Sequence, residues 1–198
     1  MTTDKKRLRA RQMPPEQRKQ QLLELAVKAF AEKGIGAAKH ADVAKAAGVS
    51  VPTVFTYFPT RQALEEEVLG FAGNFIIDNV VKPSMDSGEQ MDRLYASGPL
   101  WLDAVENHPD YIKVWLMWSN HFAPEVLSLY LDFEARLISK LVELLYFEDD
   151  RVTDIQEKQD RARMLLGAAT MLAQLGFRGE KRSRQQAYIR HVIDNFMV

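Results

Sequence analysis

The 198-residue chain contains no cysteine. Disulfide bonds, zinc-thiolate sites and a thiol nucleophile are therefore excluded. Its longest apolar run, around residues 164–177, is interrupted by Gln174 and is shorter than the roughly 20 residues that cross a bilayer. The N-terminus is basic and has no apolar signal segment behind it. These absences predict a cytoplasmic protein with no membrane partner.

Recognisable catalytic motifs are also missing. The four histidines are scattered, and the sequence has no His-Glu-x-x-His pair, no Gly-x-Ser-x-Gly elbow and no glycine-rich phosphate loop. Gly34 and Gly36 come nearest to such a loop, but no strand precedes them. Acidic pairs such as Asp149 and Asp150 are interpreted as solvated helix faces. We therefore expect no enzymatic activity, no metal and no cofactor.

The net charge of −1 conceals an uneven distribution along the chain. Residues 1–61 contain 12 Lys and Arg against 5 Asp and Glu, a balance of +7, so the remainder carries −8. A basic part joined to an acidic one is typical of a phosphate-binding module attached to a separate regulatory body. A basic tail is often no more than a solvated segment. The charge asymmetry therefore indicates phosphate binding only if a binding motif lies in the same part of the chain.

That motif lies in residues 43–58, VAKAAGVSVPTVFTYF, which have the spacing of a helix-turn-helix. The pattern predicts a short helix over residues 42–47, which Gly48 ends in a left-handed conformation. Ser50 suits the N-cap of a second helix, and Pro52 fits its first turn, where a missing amide hydrogen costs little. This second helix, from Val51, would enter a DNA major groove.

The predicted second helix has an inner and an outer face. Val54 and Phe58 are expected to face inward, packing with Val49. The side chains expected to face outward are Val51, Pro52, Thr53, Thr56 and Tyr57. An ordinary hairpin in an all-helical domain would show the same spacing, so the pattern alone leaves both interpretations open.

Helical periodicity continues through the rest of the chain, with no internal repeat or long β alternation. We predict an all-α fold of about nine helices. Residues 1–14 form a flexible basic arm, 15–59 a three-helix DNA-binding domain and 60–198 a helical regulatory and dimerisation domain. The predicted helices span residues 16–33, 42–47, 51–58, 60–81, 91–107 with an interruption near Gly98 and Pro99, 111–121, 124–147, 152–177 and 183–197. Residues 82–89, KPSMDSGE, are predicted to be a loop.

Three pieces of the sequence resemble a known family. They are the tail RLRARQMP, the block GIGAAKHADVA around His40, and KVWLMWS at residues 113–119. With the order of helices, they resemble the TetR family of dimeric bacterial transcription regulators, and within it the LuxR/HapR/SmcR group of quorum-sensing regulators. The resemblance implies that Arg9 and Arg11 enter the minor groove, with Arg7 nearer the phosphates, and it adds His40 to the candidate DNA-binding residues.

Two outward residues of the second helix depart from that group. Pro52 stands where the group has Gly or Ala, and Thr56 stands where it has Asn. With Val51 they are the candidates for base edges, whereas Ser50 and Thr53, together with Tyr57, are better placed for phosphates. Neither Pro52 nor Thr56 makes the bidentate bonds that discriminate strongly between bases.

We therefore predict a dimer that binds a degenerate pseudo-palindrome in double-stranded DNA, read partly through DNA shape. Such a protein would be a global regulator of the quorum-sensing type. A local, ligand-released repressor of an efflux or catabolic operon is the alternative.

The last two predicted helices carry apolar stripes that predict a homodimer. Their members are Ala162, Leu165, Leu166, Ala169, Leu172 and Ala173 on one helix and Tyr188, Ile189, Val192, Ile193 and Phe196 on the other. Small residues allow helices to approach closely, and two such faces per subunit would form a four-helix interface. The alternative is that both stripes fill the core of their own chain.

An aromatic cluster is the candidate ligand pocket. Its members are Phe71, Phe75, Trp115, Trp118, Tyr130 and Phe133. Glu134 lies on the same side as Tyr130, where its carboxylate would meet an arginine, extend to the edge of the stripe, or face a polar or cationic guest. Aromatic residues at helical spacing also fill cores, and the resemblance names no ligand, so a small-molecule partner of unknown identity stays an open alternative.

Overall fold

The computed structural model describes residues 13–146 and 154–196 of the chain. All regular secondary structure in these ranges is helical. The helices are α1 (Pro15–Lys33), α2 (His40–Ala47), α3 (Val51–Tyr57), α4 (Arg61–Ile76), α5 (Lys82–Met85), α6 (Gln90–Asn107), α7 (Pro109–Ser119), α8 (Pro124–Leu145), α9 (Ile155–Phe177) and α10 (Arg182–Phe196). A π-helical turn, Ile77–Val81, joins α4 to α5 without a break. The described part therefore has nine separate helices, and the predicted all-α fold is confirmed.

Helices α1, α2 and α3 pack together around the N-terminal part of one apolar core, which continues into the rest of the chain. Leu22, Ala26 and Phe30 recur every four residues along α1 and are completely buried, as expected for one face of a helix. Val54 and Phe58 close the core from α3 and its C-terminus and are also completely buried. The predicted inner face of the second helix is therefore confirmed.

The loop predicted for residues 82–89 is shorter than expected. Residues 82–85 extend the helix, with Ser84 buried and its Oγ donating to the Val80 carbonyl at 2.6 Å. Lys82 also pairs with Asp78 one turn earlier, at 2.6 Å. Loop-forming composition was overridden by these local bonds, so only residues 86–89 form the turn, where Gly88 has φ of +52°.

The interruption predicted near Gly98 and Pro99 is absent from the structure. Helix α6 runs through both residues. Pro99 is exposed, so its missing hydrogen bond falls on the solvent side of the helix, where water can take the freed carbonyl. Gly98 faces α10, and a Cβ at that position would lie 2.8 Å from Ile189 Cγ2. This glycine therefore serves close helix packing and does not break the helix.

Helix α7 connects the N-terminal unit to the rest of the molecule, since it packs against both α1 and α4. Farther along α7, Trp115 and Trp118 enter the main core and are almost completely buried. Trp118 Nε1 donates to the Val126 carbonyl at 3.1 Å, whereas Trp115 Nε1 has no hydrogen-bond partner among the described residues. Across residues 13–146 and 154–196, none of the helices combines the length and apolar character needed to cross a membrane.

Candidate nucleic-acid interface

Helix α3 is held at its start by its own polar side chains. Gly48 ends α2 with φ of +65°, as predicted. Ser50 Oγ then accepts a hydrogen bond from the Thr53 backbone amide at 3.3 Å and shares a second with Thr53 Oγ1 at 2.8 Å. Pro52 occupies the first turn. These local bonds orient a seven-residue helix whose outer face meets solvent.

The outer face of α3 offers solvent mostly apolar groups. Val51, Pro52 and Thr56 are exposed, as predicted, whereas Thr53 and Tyr57 are half-buried. The Thr56 hydroxyl donates to the Pro52 carbonyl at 3.1 Å. Because its hydrogen is used inside the helix, Thr56 presents a methyl group and an acceptor oxygen to an approaching molecule, and no free donor.

Phe55 was missed by the sequence reasoning, although it is 44% exposed on the same helix. Its ring stacks on His40 with centroids 4.0 Å apart and planes 5° from parallel. The available signal was its spacing of four residues from Val51, which places both on one face. Phe55 therefore adds a large aromatic surface to the candidate interface.

His40 lies beneath this surface. Only 6% of the residue is exposed, and its Nε2 lies 2.8 Å from the Phe58 carbonyl oxygen. A carbonyl only accepts, so Nε2 carries the hydrogen and donates it. The expectation that His40 belongs with the DNA-facing residues is therefore corrected: its ring is used in joining the start of α2 to the end of α3 and in supporting Phe55.

Arg61 ties the first residue of α4 to the turn that precedes α2. Its Nη1 donates to the Ala38 carbonyl and its Nη2 to the Ile35 carbonyl, both at 2.7 Å. Its Nε donates to Glu65 at 2.8 Å. The planar guanidinium holds these three donors in one fixed plane, a geometry that the ammonium group of a lysine does not reproduce. This residue positions α2 and α3 relative to α4, and no local sequence pattern predicted it.

Asp42 fixes the start of α2 from the other side. Its Oδ2 accepts from the Lys39 backbone amide at 2.9 Å, and its Oδ1 pairs with Lys33 at 2.5 Å. The hydrogen bond from Lys33, followed by that from the Lys39 amide, lowers the pKa of Asp42 below its ordinary value. The Asp42 carboxylate is therefore ionised at neutral pH and can hold the start of α2 in place.

The arginines of the basic arm, Arg7, Arg9 and Arg11, lie outside the described residues. The predicted role of the arm stays a prediction. The candidate interface within the described residues is the outer face of α3, supported from beneath by His40 and Arg61.

The aromatic residues predicted to line one pocket are divided between two places. Trp115, Trp118 and Phe133 fill the core, where the Trp118 and Phe133 rings stack with centroids 5.1 Å apart. The packing is tight, because a Cβ at Gly73 would lie 2.6 Å from the Phe133 ring. Tyr130 completes this group, since its ring packs against those of Trp118 and Phe133. The expectation that these residues line a common cavity is therefore corrected, because their rings contact one another.

Phe71 and Phe75 belong to a separate cluster on the α4 face that meets α7. Both pack against Tyr111, with centroids 5.7 and 4.4 Å apart, and Phe75 also packs against His108 at 4.9 Å. Periodicity correctly placed these aromatic rings on helix faces. It gave no information on which neighbour each face would meet.

Glu134 lies beside the aromatic core and is half-buried. Burial raises the pKa of Tyr130 strongly, and the charge of Glu134 and its hydrogen bond with the Tyr130 hydroxyl raise it further. Glu134 is thus partnered by Tyr130, which was not among the alternatives considered from sequence.

Two small apolar cavities lie beside Trp101, and none of the predicted pocket residues is among the residues that line them. One of about 70 Å³ separates the α4 continuation from α8 and α9, and one of about 60 Å³ separates α6 from α9 and α10. Both are far below the roughly 300 Å³ of a typical ligand pocket. A ligand entering here would have to displace the surrounding side chains.

The short α2, the tight turn at Gly48 and the exposed α3 define a helix-turn-helix protein. A model of the tetR family of bacterial regulatory proteins matches residues 22–68. The HTH-type transcriptional regulator LuxR of Vibrio harveyi is 32% identical over 199 residues, which cover 97% of this chain and 92% of that protein. The chain therefore belongs to the TetR family and is a transcription regulator, as predicted. Since the family consists of regulators, the prediction of no enzymatic activity is also confirmed.

Solved structures of lower identity share this fold. A TetR-like transcriptional regulator from Rhodococcus sp. RHA1 superposes with a TM-score of 0.73 at 20% identity, covering 94% of this chain and 97% of that chain. AibR, solved in complex with isovaleryl coenzyme A and operator DNA, gives 0.69 at 13% identity, covering 89% and 96%. These likenesses bear on the fold alone.

Proposed function

We propose that this protein is a dimeric global regulator of the quorum-sensing type, which binds degenerate pseudo-palindromic operators in the bacterial cytoplasm. The observation that carries the proposal is the exposed apolar face of α3, a helix whose start and end are fixed by the hydrogen bonds of Ser50 and His40. The likeness to LuxR of Vibrio harveyi, 32% over nearly the whole chain, supports the quorum-sensing type. Residues 15–59 are assigned to DNA binding, residues 60–198 to regulation and dimerisation, and residues 1–14 to a basic arm.

The chemistry of α3 supports a weakly selective major-groove contact. Val51, Pro52 and Phe55 provide apolar surface, and Thr56 adds a methyl group; such groups contact the thymine methyl. Ser50 at the helix start suits the phosphate backbone, together with Thr53 and Tyr57. Strong base discrimination needs bidentate donors, which this face lacks, so we expect degenerate sites read partly through DNA shape.

The basic arm supplies the complementary part of the proposal. Arginine side chains in a narrow minor groove meet concentrated negative potential. Replacing Arg9 and Arg11 together by Ala should weaken operator binding and reduce the slope of log affinity against log salt by roughly two. Fluorescence anisotropy at several salt concentrations measures both quantities. An unchanged affinity and slope would refute the role of the arm.

The proposed dimer uses the outer faces of α9 and α10. Met164 and Met171 are 65% and 41% exposed, and nothing lies within 4 Å of a Cβ placed at Gly167 between them. The predicted stripes split: Ala162, Leu172, Ala173 and Ile193 are buried in their own chain, whereas Leu165, Leu166, Ala169, Tyr188, Ile189 and Val192 are half-buried. All of these half-buried residues except Val192 also pack against the core of their own chain. The surface left for a second copy on α9 is therefore the exposed face that carries Met164 and Met171.

Selection of bound sequences from random DNA tests the proposal directly. We expect a two-fold symmetric motif with half-site centres one or two turns of about 10 bp apart. An asymmetric motif, or one without a preferred spacing, would contradict binding by a symmetric dimer.

A local, ligand-released repressor is the second candidate. The two apolar cavities beside Trp101 favour it, because they mark places where the interior can expand around a guest. Mapping bound sites across the genome separates the candidates. Dozens of sites support the global regulator, and one or two sites beside its own gene support the local repressor.

A further inference from the structure

Helix α3 carries no side chain that can read a base through a pair of hydrogen bonds. Its sequence, VPTVFTY, contains no charged residue and no amide. The hydroxyl hydrogen of Thr56 goes to the Pro52 carbonyl, and the Thr53 hydroxyl is bonded to that of Ser50. The groups that remain for a major groove are mostly apolar, and the largest of them is the ring of Phe55.

The Phe55 ring is held in place by the ring of His40 beneath it. The two rings are 4.0 Å apart and only 5° from parallel. His40 is a fixed support, because it is 6% exposed and its Nε2 lies 2.8 Å from the Phe58 carbonyl oxygen. Since His40 covers one face of the Phe55 ring, the 44% that is exposed belongs to the opposite face and the ring edge. A ring held in this way loses little conformational freedom on binding.

The base edges of the major groove offer such a ring one apolar group. Thymine presents a methyl group at C5, whereas the other unmodified bases present hydrogen-bond donors and acceptors. Cytosine methylated at C5 presents the same methyl group in the same place, with an amino donor instead of the thymine oxygen. Thr56 keeps an acceptor oxygen that suits this amino group. The outer face of α3 is therefore compatible with both 5-methylpyrimidines.

We propose that Phe55 is a specificity-determining residue that recognises the C5 methyl group of pyrimidines. Helix α3 then binds thymine and 5-methylcytosine alike and unmethylated cytosine more weakly, so methylation of operator cytosines at C5 strengthens binding. Recognition of the methyl group rests on the proposed function, because it requires α3 to lie in the major groove of an operator. It adds the chemical group that is read and a modification of the DNA that controls affinity.

Deoxyuridine is the first probe, because it differs from thymidine only by the missing C5 methyl group. An operator selected from random DNA is resynthesised with each thymine of one half-site replaced by uracil in turn. Fluorescence anisotropy with the full-length protein should show binding weakened about two- to fivefold, the effect of one buried methyl group, at one or two positions. A selected operator that is insensitive to uracil at every position would overturn this recognition and leave the proposed function intact. Failure to select any specific site would overturn both.

Phe55→Ala tests whether the ring makes the contact. Each protein is measured on the thymine and the uracil operator, so a general loss of affinity cancels in the ratio of its two affinities. The ratio should fall to about one in Phe55→Ala, whereas an effect of uracil on DNA shape would persist in the variant. Leu131→Ala is the control, because Leu131 is 52% exposed on α8, and it should keep the wild-type ratio. A wild-type ratio in Phe55→Ala would refute the role of Phe55.

5-Methylcytosine provides a second test on the wild-type protein, which does not depend on the folding of any variant. At a uracil-sensitive position, replacing T·A by C·G should weaken binding, and methylating that cytosine at C5 should recover about two- to fivefold. The control is a uracil-insensitive position of the same half-site, where methylation of a substituted cytosine should change nothing. Equal binding of cytosine and 5-methylcytosine at the sensitive position would overturn the proposal.

Discussion

The DNA-binding unit and the helical body hold their important residues in opposite ways. Around α2 and α3, side chains bond to backbone groups: Ser50 to an amide, His40 and Arg61 to carbonyls. In the body, large rings such as Trp118 and Phe133 contact one another with little space between them. Hydrogen bonds of fixed geometry orient an exposed surface, whereas packing supplies stability. Substitutions in the body should therefore change the free energy of unfolding, and substitutions around α3 should change operator affinity.

The strongest test on the body is Phe133→Ala. Removing a completely packed ring should lower the free energy of unfolding by about 3–5 kcal/mol. Urea denaturation followed by circular dichroism measures this change. Phe122→Ala is the control, since Phe122 is 80% exposed and its loss should cost less than about 0.5 kcal/mol. Similar costs for the two variants would show that the aromatic core does not dominate stability.

Arg61→Gln tests the residue that lies between the two regions. It removes two bonds to the carbonyls of Ile35 and Ala38 and leaves Glu65 without its partner, so the free energy of unfolding should fall by about 1.5–3 kcal/mol. Operator affinity of the folded protein should fall as well, because α2 and α3 lose their tie to α4.

Two variants make the Arg61 test specific. Arg61→Lys should restore only part of the operator affinity, since an ammonium lacks the planar fork. Arg163→Gln is the surface control, because Arg163 forms its ion pair with Asp160 on the exposed face of α9. Anisotropy at a temperature where every variant is folded measures affinity. Full operator affinity in folded Arg61→Gln would remove Arg61 from the positioning of α3.

Sequence signals predicted the parts of the fold that depend on neighbours in the chain. Gly48 and Ser50 act within a few residues, so the boundary between α2 and α3 was correct. Arg61 was not found, because its partners at residues 35 and 38 lie more than 20 positions away. His40 occupies a helix start, and its direction depends on where the end of α3 packs. The aromatic residues show the same limit, since periodicity gives a face and not its neighbour.

Thr56→Asn tests whether α3 reads bases as weakly as its exposed face suggests. Asn offers a donor and an acceptor that can bond adenine together, which is worth about 1–3 kcal/mol of discrimination. Selection from random DNA should therefore give a motif with at least one sharper position per half-site, while stability changes little. A motif identical to that of the wild type would mean that residue 56 does not approach a base edge.

Asp42→Asn should give the smallest effect, a change in the pH dependence of stability. Asn keeps an acceptor for the Lys39 amide and removes the charge that pairs with Lys33. The pKa of Asp42 is lowered in the folded state relative to the ordinary value of 3.8. Its contribution to stability is therefore complete above that pH and is lost as the pH falls through the lower, folded-state value. Urea titrations between about pH 7 and pH 3 should show wild type more stable than Asp42→Asn at neutral pH and the gap closing in acid, whereas a constant gap would assign the effect to helix capping alone.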